Sequence, residues 1–125
     1  MNRVELLDQA QRLLFDEAAY LDQRCWEDWL ALYTPDCEFW VPAWKSEDVP
    51  TADPGGEVSL VYYDSRAGLE ERVWRIQSAA APAHRVLPRT CHAISNVRLL
   101  DAGPGRLAVT ATCRLDSYQD KPLRR

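Results

Sequence analysis

The chain has 125 residues, 46% hydrophobic and 27% charged, which suits one domain (residues 1–125) and leaves little room for a second. No apolar run approaches the roughly 20 residues that span a bilayer, so a membrane is not an expected partner. The net charge of −4 is uneven, −9 over residues 1–60 and +5 over residues 61–125, yet the basic half has no dense Lys/Arg run, which argues against nucleic acid.

Residues 4–21 read as an amphipathic helix, with Val4, Leu7, Leu14, Ala18 and Leu21 at helical spacing and Leu6 and Leu13 widening the stripe. A second helix is expected over residues 23–33, with Asp22 placed as its N-cap. Trp26, Trp29, Leu30 and Tyr33 would share its core-facing side. Thr34-Pro35-Asp36 stops it, because a residue preceding proline avoids the α conformation. Residues 37–41 read as a strand that Pro42 ends or marks as an edge. Residues 43–57 lose all periodicity and gather Pro50, Pro54, Gly55 and Gly56, the composition of a long loop.

Residues 58–63 are strand-like, and Asp64 or Ser65 can cap a helix from about 66 to 78 carrying Leu69, Val73 and Ile76. A proline-bounded connector follows over residues 79–88. Two long strands, 89–101 and 106–118, flank the turn Ala102-Gly103-Pro104-Gly105. The second alternates Leu107, Val109, Ala111, Cys113 and Leu115 with polar residues, which predicts one buried face. This element order predicts an α+β fold, with helices packed on one face of a curved antiparallel sheet.

The chemistry-bearing residues are sparse. Cys25, Cys37, Cys91 and Cys113 form no Cys-x-x-Cys pair, and buried free thiols are the expectation. His84 and His92 are the only histidines, and no helix carries two ligands at i, i+4 spacing, so no metal site is expected. His84 is expected to be exposed in its connector, and His92 to be structural. Neither a phosphate-binding loop nor a Gly-x-Ser-x-Gly elbow is present. One enzymatic alternative survives: Asp22, Tyr33 and His92, with Tyr62 and Tyr63, could line a pocket where an acid or base faces tyrosine donors. That would suit a stand-alone isomerase or dehydratase.

Four segments in series (21–33, 37–44, 57–73 and 89–97) resemble a known family. They contain Tyr62-Tyr63-Asp64-Ser65-Arg66 and Arg89-Thr90-Cys91-His92-Ala93-Ile94-Ser95-Asn96-Val97. Together they resemble the small (β) subunit of aromatic-ring-hydroxylating dioxygenases, close to the benzoate and anthranilate type, over residues 5–118. The resemblance implies a cone-shaped nuclear-transport-factor-2-like (cystatin-like) α+β fold. It also implies a non-catalytic chain that holds no cofactor; a cytoplasmic location is expected from Met1-Asn2-Arg3-Val4-Glu5, which lacks a signal-peptide hydrophobic segment. Its partners would be further copies of itself, as a trimer, and an α subunit bearing a Rieske iron–sulfur cluster and a mononuclear iron, in a hetero-hexamer. Trp40, Trp44, Tyr62, Tyr63, Asp64, Arg66, Arg89, His92 and Asn96 then become subunit-interface candidates. Family members continue past the strand at 106–118, so the resemblance also implies a sheet short of its last strands, with that strand as an exposed edge.

Overall fold

The computed structural model describes residues 2–42, 59–80 and 89–118. The chain divides into two compact units, residues 1–29 with 86–125 and residues 30–85. Among the described residues, each holds one two-stranded antiparallel sheet.

In the first unit, α1 spans Arg3–Gln23, longer at both ends than its apolar stripe predicts. Asn2 caps it: the Asn2 Oδ1 accepts from the Glu5 backbone N–H at 2.9 Å. At the other end Arg24 adopts a left-handed conformation (φ 58°), and Cys25 N–H donates to Tyr20 O at 2.8 Å. The Arg24 N–H donates to Leu21 O, completing a Schellman closure that uses arginine where glycine is usual. This closure separates α1 from α2, Trp26–Ala31, so the second helix starts three residues later than expected. Asp22 therefore lies inside α1 and does not cap α2, and Tyr33 falls beyond α2. Within α1 the buried residues are Ala10 and Ala18, whereas Val4 is 76% exposed and lies outside the core.

The strands β3, Arg89–Gly103, and β4, Arg106–Tyr118, pair along their length and are joined at Pro104-Gly105, with Gly105 at φ +70°. Helix α1 runs antiparallel to β3. Arg3 near its start donates to Leu99 O at 3.3 Å, and Asp22 in its last turn meets Thr90 and His92. The covered residues of β3 are Thr90, His92 and Ile94, then Val97 and Leu99, so the parity switches between Ile94 and Val97. Asn96 makes the switch: it sits at φ 51°, where the register shifts between Ser95 and Arg98. A left-handed residue there inserts one extra position and returns the apolar side chains to the α1 side.

Strand β4 does not keep the buried face its alternation predicts. Twelve of its 13 residues are exposed and only Val109 is partly covered. Its register places Cys113 beside Ile94, Leu115 beside His92 and Val109 beside Leu99, so its apolar residues do lie on the α1 side. Helix α1 covers β3 and stops short of β4. The cysteines depart from expectation for a related reason. Cys113 lies on that uncovered face, Cys91 on the opposite face of β3, and both are exposed; Cys25 and Cys37 are part-buried.

The second unit holds β1, Phe39–Pro42, β2, Ser59–Tyr63, and α3, Arg66–Ala80. Strand β1 begins two residues later than predicted, and its register slips at Pro42, which has no N–H for the ladder. Leu69 is fully buried on α3 and Val73 is 5% exposed, as their spacing predicts. Helix α3 runs two residues past its expected end at 78, into the predicted connector; the long loop and the rest of the connector, with Trp44 and His84, lie outside the described residues.

Candidate functional site

The polar focus of the first unit is Asp22. Its Oδ1 accepts from Thr90 Oγ1 at 3.0 Å, its Oδ2 accepts from the His92 backbone N–H at 2.9 Å, and His92 Nδ1 lies 2.6 Å from Oδ1. A carboxylate only accepts, so Nδ1 carries a proton toward Asp22. Partial burial by itself pushes the Asp22 carboxyl up. The hydrogen bonds from the His92 ring, the His92 backbone and Thr90 outweigh it and hold the group below its ordinary range. Side-chain exposures of 19% for His92 and 24% for Asp22 leave the pair at the rim of the core. Nearby, Trp29 is buried and its Nε1 donates to Glu17 at 3.3 Å, with Trp26 edge-on at 6.4 Å.

The second unit is organised by Arg66 and an aromatic row. The Arg66 backbone N–H donates to Pro35 O at 3.1 Å and its guanidinium to Tyr33 O at 3.0 Å. Its Nε also reaches Glu70 at 3.1 Å, so one residue ties the Tyr33–Pro35 bend to the start of α3. Tyr33, Phe39 and Tyr63 form a row, Tyr33 edge-on to Phe39 and Phe39 tilted against Tyr63, with ring centroids 6.0 and 6.4 Å apart. Gly68 lies directly against the Tyr63 ring, where any Cβ would collide with it. Trp40 faces Tyr62 across the β1–β2 ladder and is part-buried. Tyr62 is 39% exposed, and its hydroxyl is pushed up by desolvation and then by the charges of Glu38 and Asp64.

The structure thus brings Asp22 to His92, and Tyr33 to Tyr63 and Arg66, each set within its own unit. Asp64 and Arg89 are exposed, Asn96 serves the backbone of β3, and Trp44 lies outside the described residues. Sequence reasoning missed Thr90, Glu17, Glu38 and Gly68 as partners. Of these only Thr90 carried a signal, since it shares strand parity with His92. Among the described residues, no three His, Cys, Asp or Glu side chains come together to hold a metal. Nor is any described helix long and apolar enough to cross a membrane.

A family model described as "Ring hydroxylating beta subunit" matches residues 16–121, most of the chain. The chain belongs to that family. It is 47% identical over 92 residues to the toluate 1,2-dioxygenase subunit beta of Pseudomonas putida, covering 74% of this chain and 57% of that protein. It is 43% identical over 104 residues to the benzoate 1,2-dioxygenase subunit beta of Acinetobacter baylyi, covering 79% and 62% respectively. The crystal structure of the beta subunit of benzoate 1,2-dioxygenase from Burkholderia mallei superposes with a TM-score of 0.78 at 31% identity, over 98% of this chain and 72% of that one. The ring-hydroxylating β-subunit fold, α+β and nuclear-transport-factor-2-like, is therefore the fold of this chain. The matched regions span about three fifths of these two curated relatives. Nothing in these similarities supports a stand-alone isomerase or dehydratase.

Proposed function

We infer that this chain is a non-catalytic β subunit of a multicomponent aromatic-ring-hydroxylating dioxygenase in the degradation of aromatic compounds. The observation that carries the inference is the family match over residues 16–121, together with relatives named as subunits of toluate and benzoate dioxygenases. Its task is to support and assemble an α subunit that holds the Rieske cluster and the mononuclear iron. The chain acts as one β-subunit domain in the cytoplasm, as a trimer within a hetero-hexamer.

The candidate interface residues divide by environment. Tyr62 and Asp64 in the second unit and Arg89 in the first are exposed and, with Trp40 and Trp44, are the candidates for contact with a partner. Tyr63 and Arg66 brace the second unit, and His92 and Asn96 the first, each through contacts within its own unit. Arg89 suits a carboxylate on α, because its planar fork takes both oxygens.

Co-expression with an α chain bearing Cys-x-His and Cys-x-x-His pairs tests the inference. A tag on this chain should draw out α with its iron–sulfur absorbance. Recovery of the tagged chain without α, while α is soluble in the same cells, would remove the basis for the reading.

A further inference from the structure

We draw no further inference here: the strongest candidate, the face of the β1–β2 ladder where Tyr62 lies opposite Trp40 and beside the Glu38 and Asp64 carboxylates, is an acidic and aromatic surface patch, and nothing in the structure shows what covers it.

Discussion

Asp22 holds His92 at two points, accepting the backbone N–H at 2.9 Å and meeting ring Nδ1 at 2.6 Å, across 70 residues of sequence. One carboxylate thereby pins the last turn of α1 to the start of β3. It fixes strand and side chain together.

Asp22→Asn should cost about 1–3 kcal/mol, because the amide keeps one acceptor but loses the charge that strengthens all three hydrogen bonds. The pH dependence has a definite sign. A carboxyl held low in the folded state contributes stability in full above its unfolded value, near 3.9, and loses it as pH falls through the lower folded value. Urea midpoints between pH 2 and 6 should fall on acidification in the parent and fall less in Asp22→Asn. Parallel curves would deny the carboxylate this role.

Asn96 matters through its backbone, since its side chain is exposed while its φ of 51° carries the β3 bulge. Asn96→Ala should destabilise by about 1 kcal/mol, whereas Asn96→Gly should be close to neutral. Thermal melts of the two variants compare a backbone role with a side-chain role. Equal losses from both would point to the side chain.

Gly68→Ala should be harmful despite alanine's advantage of about 1 kcal/mol in a helix. The added methyl meets the Tyr63 ring, and overpacking of this kind costs about 1–3 kcal/mol. Near-ultraviolet circular dichroism should report the displaced aromatic row. An unchanged melt would mean that Tyr63 moves aside freely.

Arg66→Lys keeps the charge and its attraction to Glu70 but gives up the fork that reaches Tyr33 O. The exposed ion pair is worth little, so the loss of about 1–2 kcal/mol should come from the carbonyl contact. Glu70→Ala beside Arg66→Lys separates the two contributions in a denaturation series. A larger loss from Glu70→Ala would reverse that assignment.

Much of this protein can be read without its structure. The order of elements, the Leu69 and Val73 face of α3, and the alternation of β4 follow from local periodicity. The four matched segments carry the family. Local pattern encodes only which side chains share a face, because helical and strand periods act over a few residues. Contact across 70 residues, between Asp22 and His92, depends on chain path and strand register, which no local pattern records. The left-handed Arg24 moved the break between the two helices from Asp22 to residues 24–25, and the left-handed Asn96 reset the face of β3. The apolar face of β4 was legible as a face, but its exposure was not. Whether a hydrophobic side chain is buried depends on what packs over it, and only the tertiary structure decided that α1 stops at β3.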